Sequence, residues 1–194
     1  MLVLASASPR RKDLLIRAGF DFTVLPADIP EEPREGEPPV AYVIRLAREK
    51  AEAVRAKLPN GEQQMILAAD TTVVAPNGEI LGKPADEADA ARMLRLLSGA
   101  THQVATGVAV LAGEVTEIAA ETTWVTFATM SDAEIANYIA TGEPADKAGA
   151  YGIQGAAARY IPRVHGCYFN VVGLPMALVA SMIEGVERQL TKAI

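Results

Sequence analysis

Short apolar runs alternate with amphipathic segments along the chain. Runs rich in aliphatic, β-branched and aromatic residues predict strands at residues 2–5, 65–69 (resuming at 73–75), 104–112, 122–128 and 168–172. Helical spacing of apolar residues predicts helices that begin at residue 9 and then span residues 40–58, 86–97, a segment after residue 131, and 176–189. Because strands and helices alternate, the pattern predicts an α/β fold.

Local signals sharpen the ends of these elements. Asn77-Gly78 lies between two apolar runs and predicts a hairpin, which makes the sheet mixed. Ser131 with Glu134 forms a capping-box pattern at the start of a helix. The segment 28–39, rich in proline, glutamate and glycine, predicts a loop before the second helix.

Composition and charge exclude several classes of protein. The 194 residues suit one domain with two lobes, and a net charge of −6 with no run of five like charges argues against binding of long nucleic acid. No apolar run approaches the roughly 18 residues of a membrane span, and no signal peptide is evident. Cys167 is the only cysteine, so an intrachain disulfide is impossible. With only two histidines besides, a zinc cluster of cysteine and histidine ligands is not expected. We therefore expect a cytoplasmic protein with no membrane partner.

The stretch SASPRR places cations at a predicted helix N-terminus. Ser8 suits the N-cap and Pro9 the first helical position. Arg10, Arg11 and Lys12 then occupy the first turn, where positive charge opposes the helix dipole. A bound anion would turn this unfavourable arrangement into a favourable one, because it would be attracted both to the helix dipole and to all three cations. The alternative is a capped helix whose arginines merely face water.

Asp70 interrupts an apolar strand run and is the second candidate. A buried, unpaired carboxylate is costly, so such a residue usually ligates a metal or acts as an acid or base. An aspartate of ordinary pKa, about 3.9, is a weak base at pH 7, which favours Asp70 as a metal ligand or as a residue that orients water. A raised pKa would also permit Asp70 to accept a proton. The alternative is an aspartate hydrogen-bonded to backbone.

The remaining candidates are weaker when each is taken alone. Lys83, in LGKP, does not have P-loop spacing, and the stretch GEPADKAGAYGIQG at 142–155 offers four glycines and Gln154 for close approach to a ligand. A solvated turn and a plain loop are the respective alternatives. Ser-His-Asp chemistry finds no support, and a half-buried structural cysteine is favoured over a catalytic Cys167–His165 pair.

Taken together, these stretches resemble the Maf family of nucleoside triphosphate pyrophosphatases. The matching segments, in the family's order, are LASASPRR at 4–11, RLAREKA at 45–51, AADTTVV at 68–74, LGKP at 81–84, GEPADKAGAYGIQG at 142–155 and YFNVVGLP at 168–175. The resemblance implies an elongated mixed sheet with flanking helices, two lobes around a cleft, and a fold related to inosine triphosphatases. It also implies a homodimer that hydrolyses a nucleoside triphosphate to the monophosphate and pyrophosphate with Mg²⁺ or Mn²⁺.

The same resemblance assigns residue roles. Its catalytic and metal-binding aspartate falls on Asp70. Phosphate-binding and cleft residues fall on Ser8, Arg11, Lys50 and Lys83, and the family's acidic position after the first helix falls on Glu31, with Glu32 as the alternative. From the residues alone, a solvated surface is the default for Glu31, Glu32 and Lys50.

Three further positions separate the subgroups of the family. Arg10, Thr71 and Gln154 match the subgroup that prefers dTTP and UTP, whereas the subgroup acting on 7-methyl-GTP has tryptophan at the first of them. The resemblance thus implies that Arg11 grips phosphate and Arg10 helps to select the base. Two other functions stay open: a nucleotide-sensing regulator of septum formation that does not need turnover, and phosphoryl transfer to another acceptor.

Overall fold

A computed structural model describes residues 1–59 and 64–192. Within these residues lie seven strands: β1 (Leu2–Leu4), β2 (Phe22–Val24), β3 (Met65–Val74), β4 (Ile80–Leu81), β5 (Thr101–Ala112), β6 (Val115–Thr126) and β7 (Arg163–His165). The six α-helices of the same residues are α1 (Pro9–Arg17), α2 (Pro39–Lys57), α3 (Glu87–Leu97), α4 (Asp132–Ile139), α5 (Tyr168–Val172) and α6 (Met176–Lys192). This confirms the predicted α/β class.

The seven strands form one mixed sheet with the order β2-β1-β3-β5-β6-β7, and β4 pairs with β3. The first strand runs parallel to both of its neighbours, with Leu2 opposite Phe22 and Met65. The pairs β3–β4 and β6–β7 are antiparallel. The β3–β4 connection contains Asn77-Gly78, as predicted, and Gly78 has φ +87°, a value that glycine adopts without strain.

The chain divides into two compact units. Unit 1 comprises the described residues of Met1–Asp70, Thr106–Glu121 and Gly173–Ile194, and unit 2 comprises Thr71–Ala105 and Thr122–Val172. Strand β3 leaves unit 1 at Asp70 and enters unit 2 at Thr71. None of the helices in the described part of the chain is long and apolar enough to cross a membrane.

In unit 1, small side chains bring helix α2 close to the strands. Val3, Ala47, Ala51 and Ala68 belong to one buried cluster. At Gly107 on β5, an added Cβ would overlap the carbonyl oxygen of Val43 on α2. The close contact between helix and strand therefore requires glycine at this position, and it sets the height of α2 above the sheet.

Three predictions about the elements were wrong. The segment 168–172, predicted as a strand, is helix α5. Its four apolar residues, with Asn170 among them, are too few to distinguish the two structures by periodicity. The helix is held by the buried side chain of Asn170, whose Nδ2 donates to the Val104 carbonyl at 2.9 Å and to Thr123 Oγ1 at 3.0 Å.

The other two errors concern strands. Asp70 and the threonines after it do not interrupt β3, which is continuous, because threonine suits a strand and the Asp70 charge is paired, as described below. Strand β6 begins at Val115 rather than at residue 122, and the three-residue strands β2 and β7 were not predicted. Such short or half-exposed strands carry too few apolar positions to form a pattern.

A buried histidine lies among aromatic rings in unit 2. His102 is 2% exposed, its Nε2 is 2.8 Å from the Tyr151 hydroxyl, and its ring packs against Phe127 at a centroid distance of 5.5 Å. Burial lowers the pKa of His102 to about 4. The imidazole is therefore neutral in the folded protein at pH 7.

This histidine should make the protein sensitive to acid. Below about pH 6.5 the unfolded chain binds a proton at His102 that the folded chain does not, so the free energy of unfolding should fall by up to roughly 3 kcal/mol as the pH is lowered to about 4. Urea unfolding at a series of pH values measures this change. His102→Gln should flatten the dependence between pH 6.5 and 4, whereas an unchanged slope would contradict the assignment.

Candidate active site

Helix α1 begins as the sequence predicts. Ser8 is its N-cap, with Oγ accepting from the Arg11 backbone N at 3.5 Å, and Pro9 is the first helical residue. The first turn contains no acidic side chain. The first turn therefore combines the positive end of the helix dipole with cationic side chains and no anionic one.

The Arg11 guanidinium is held from two sides within unit 1. Its Nε donates to the Gly173 carbonyl at 2.8 Å, and its Nη1 donates to Ser6 Oγ at 3.2 Å. Burial lowers the pKa of Arg11, and the negative charge of Asp70 opposes that shift. The alternative in which the arginines merely face water is thus wrong for Arg11. Sequence reasoning missed Gly173 as a partner, because no local pattern joins residues 162 positions apart, and it missed Ser6, which is only five positions away.

Lys50 joins two of the predicted site residues. Its Nζ lies 2.6 Å from Asp70 Oδ1 and 2.6 Å from Glu31 Oε1. Lys50 and Asp70 are each only 7% exposed, whereas the Glu31 side chain is half exposed. The default interpretation of Lys50 as a solvated lysine is therefore wrong, and Asp70 is paired with a buried ammonium rather than with backbone alone.

The contacts also distinguish the two candidate acidic residues. The Glu31 side chain meets Lys50, while Glu32 contributes its backbone carbonyl, which accepts from Arg45 Nη2 at 3.1 Å. Two carboxylates therefore share Lys50, and the charges of both also act on Arg11. Carboxylate oxygens are ligands that hard divalent cations use.

Unit 2 brings together two other stretches singled out in the sequence. The Gly149 backbone N donates to the Gly82 carbonyl at 3.0 Å, which ties the glycine-rich stretch 142–155 to the segment that carries Lys83. Lys83 and Gln154 are exposed, and Thr71, at the start of this unit, is half-buried. The stretch contains short 3₁₀ turns at Glu143–Asp146 and Ala148–Ala150 rather than a helix or a strand, in line with the prediction of a loop.

Glu143 orders the end of this stretch. Its carboxylate accepts from the Tyr138 hydroxyl at 2.7 Å and from the Ala156 backbone N at 2.9 Å, and the same hydroxyl accepts from the Gly152 backbone N at 3.1 Å. An added Cβ at Gly155 would overlap the Glu143 carboxylate. The backbone on both sides of Gln154 is thereby held in place, and this glycine is needed for the close approach.

Cys167 and His165 make structural contacts. The Cys167 carbonyl accepts from Thr123 Oγ1 at 3.0 Å, and the His165 ring packs edge-on against Trp124 at 5.9 Å. The thiol is half-buried, which agrees with the interpretation of Cys167 as a structural residue.

Two solved structures show a partial likeness to this fold. The Ham1 protein of Staphylococcus aureus is 18% identical with a TM-score of 0.46, covering 65% of this chain and 71% of that one. A nucleoside-triphosphatase/dITP/XTP pyrophosphatase from Mycobacterium abscessus is 16% identical with a TM-score of 0.44, covering 66% and 75% of the two chains.

Sequence relatives match far more closely. A protein of Koribacter versatilis named dTTP/UTP pyrophosphatase is 57% identical over 183 residues, which are 94% of this chain and 93% of that one. Proteins of the same name from Geobacter sulfurreducens and Pelotomaculum thermopropionicum are 53% and 49% identical, each over more than nine tenths of both chains. The family model described as Maf-like protein matches residues 1–186. With nearly its whole length matched, the chain belongs to the Maf family.

Proposed function

We propose that the protein hydrolyses dTTP and UTP to the monophosphate and pyrophosphate, by attack of water at the α-phosphorus. The observation that carries the proposal is the buried Lys50, which pairs with both Asp70 and Glu31 in a chain 57% identical to a relative of that name. Modified pyrimidine nucleotides are further candidates within the same substrate class.

In unit 1, the contacts support the following division of roles. Asp70 orients the attacking water and accepts its proton, and Lys50 holds Asp70 and Glu31 next to each other. Arg11, fixed by Ser6 and Gly173, neutralises charge that develops on the leaving pyrophosphate. Ser8 and the first turn of α1 add backbone N–H groups for phosphate oxygens.

Four other roles rest on the family resemblance. Lys83 binds phosphate, and Arg10, Thr71 and Gln154 select the base. The hold of Glu143 on the backbone around Gln154 supports this assignment, since a residue that reads a base edge needs a defined position.

The donor set fits a divalent cation. Among the described residues there is no group of three or more His, Cys, Asp or Glu side chains that could hold a metal. Mg²⁺ commonly uses one or two carboxylates and completes its coordination with water and substrate phosphates, which suits the Asp70–Glu31 pair. When bound, Mg²⁺ or Mn²⁺ supplies positive charge for the phosphate oxygens and makes a nearby water more acidic.

The charges of the site residues are consistent with a triphosphate. A triphosphate carries about −4 and one divalent cation leaves about −2, which the two cations assigned to phosphate, Arg11 and Lys83, can offset. The proposal includes a homodimer, as the family resemblance implies. From the composition, charge and apolar pattern of the sequence it also includes action in the cytoplasm on a small molecule, not on long nucleic acid or at a membrane.

A product assay tests the proposal. The protein is incubated with each common and modified nucleoside triphosphate in the presence of Mg²⁺ or Mn²⁺, and pyrophosphate, orthophosphate and nucleotide products are identified. We expect pyrophosphate and monophosphate, with dTTP and UTP turned over fastest. A diphosphate product or orthophosphate release would indicate phosphoryl transfer or γ-phosphate hydrolysis instead, and no turnover of any triphosphate would overturn the proposal.

A further inference from the structure

The acidic segment before α2, which the sequence presents as a solvated loop, is gripped by side chains of that helix. The Tyr42 hydroxyl donates to the Glu31 carbonyl at 2.7 Å, and Arg45 Nη2 donates to the Glu32 carbonyl at 3.1 Å. Tyr42 and Arg45 are three residues apart and so lie on one face of α2. Two consecutive carbonyls of the loop are therefore fixed to the helix, and one of them belongs to Glu31.

Arg45 is itself anchored by a bidentate ion pair. Its Nε and Nη2 lie 2.6 Å from the two carboxylate oxygens of Glu37, and its Nη1 donates to Glu49 at 3.2 Å. The Arg45 and Glu37 side chains are only 15% and 11% exposed. Hydrogen bonding to Arg45 lowers the pKa of Glu37 to about 2, and the same bond raises the pKa of Arg45. Arg45 and Glu37 therefore both stay charged throughout the neutral pH range. We call Arg45 and Tyr42, with the Glu37 carboxylate that anchors Arg45, the clamp.

The clamp holds the loop that carries Glu31, whose carboxylate pairs with Lys50 in the proposed active site. The Tyr42 hydroxyl bonds to the backbone of the residue whose carboxylate meets Lys50. Burial raises the pKa of Tyr42 to about 12, and the charges of Asp70 and Glu31 add to the shift. Contacts thus run from Tyr42 to the Glu31 backbone, and from the Glu31 carboxylate on to Lys50, while Arg45 holds the carbonyl of the next residue. The Glu31 side chain is half exposed and needs such a hold to stay beside Lys50.

We propose that Arg45 and Tyr42 are positioning residues for the reaction: they fix the loop so that the Glu31 carboxylate shares Lys50 with Asp70. The inference rests on the proposed function, because it assigns Glu31 a part in hydrolysis. Without the clamp, the loop is free to move the carboxylate away, and displacements of about 1 Å at a catalytic group can cost up to about 100-fold in rate.

The test compares Arg45→Met, Tyr42→Phe and Glu31→Gln, singly and combined, by kcat and KM for dTTP and by Mg²⁺ titration of activity, with thermal unfolding as a measure of folding. We expect Arg45→Met to lower kcat by about 10- to 100-fold with little change in KM, and Tyr42→Phe to lower it by about 3- to 10-fold. Both should require more Mg²⁺ for half-maximal activity. Hydrogen exchange at residues 31–37 should increase in Arg45→Met.

The double variants separate positioning from general stability. In a Glu31→Gln background, Arg45→Met should cause almost no further loss of kcat, because its effect passes through Glu31. Arg92→Met is the matched control, since Arg92 also bonds two carboxylates, Glu79 and Asp89, but on the surface of unit 2, and it should leave kcat unchanged.

The other outcomes distinguish failure of the proposed function from failure of the positioning role of Arg45 and Tyr42. If the wild type turns over no triphosphate, the proposed function and this inference both fail. If the wild type is active and Tyr42→Phe and Arg45→Met keep its kcat, the inference alone fails. It also fails if Arg45→Met lowers kcat by the same factor with and without Glu31, as a purely structural role predicts. Should Arg45→Met not fold, Tyr42→Phe in the Glu31→Gln background gives the same decision.

Discussion

Replacing Asp70 with asparagine is expected to lower kcat for release of pyrophosphate from dTTP by about 10²- to 10⁴-fold, the range that a positioned acid–base group contributes. Asparagine has nearly the same shape but cannot accept the proton of the attacking water or supply a charged oxygen to a cation. Lys50 keeps Glu31 as a partner at 2.6 Å, so the variant should fold. The measurement is single-turnover and steady-state pyrophosphate release.

The same variant separates an enzyme from a regulator that only senses nucleotide. Binding of a non-hydrolysable dTTP analogue should survive in Asp70→Asn while turnover is lost. Glu79→Gln is a control for removal of a paired carboxylate, since Glu79 pairs with Arg92 on the surface. Full activity of Asp70→Asn would rule out the mechanism proposed for Asp70.

Arg11→Ala is expected to lower kcat/KM for every triphosphate by about 10²- to 10³-fold, as loss of one preorganised donor to a developing charge typically does. The guanidinium is already aligned by its bonds to Ser6 and Gly173, so the role proposed for it needs no reorganisation of the side chain. Arg11→Lys should recover only part of this loss, because an ammonium lacks the planar set of donors. The measurement is kcat/KM across dTTP, UTP, GTP and ATP.

Two other arginines of the same helix provide comparisons for Arg11: Arg17 as a control without a role, and Arg10 as a residue with a different role. Arg17→Ala removes an exposed arginine paired with Asp13 and should leave activity unchanged. Arg10→Trp should change which nucleotide is preferred more than it changes the rate, because Arg10 is assigned to the base rather than to phosphate. A selective loss on one base in Arg11→Ala, or a uniform loss in Arg10→Trp, would contradict this division of roles between the two arginines.

Much of the fold follows from local signals. The N-cap at Ser8, the hairpin at Asn77-Gly78 and the capping box at Ser131 each depend on residues within four positions of one another, and all three are present in the structure. Helix α2 differs from its predicted span by one residue at each end. Helix α5 was predicted as a strand, because so short a segment is compatible with both periodicities and its Asn170 finds its partners in distant strands.

The site residues divide in the same way. The chemistry of SASPRR and of Asp70 could be suspected from charge placed where a helix dipole or an apolar strand makes it costly. The ion pair of Arg45 and Glu37 could not be suspected in this way, because charged residues in a loop and on a helix are usually solvated. Only the (i, i+4) spacing of Arg45 and Glu49 gave a hint of it.

The sequence by itself determined the α/β class, the start of helix α1 with cations in its first turn, and, through its motifs, the family. Tertiary structure alone decided that Lys50 is buried between Asp70, 20 positions away, and Glu31, and that Arg11 is held by Gly173. The physical reason is the distance along the chain over which each interaction acts. Caps and turns are set by hydrogen bonds between near neighbours, whereas the burial of a charge and the identity of its partner depend on which distant segments the fold brings beside it.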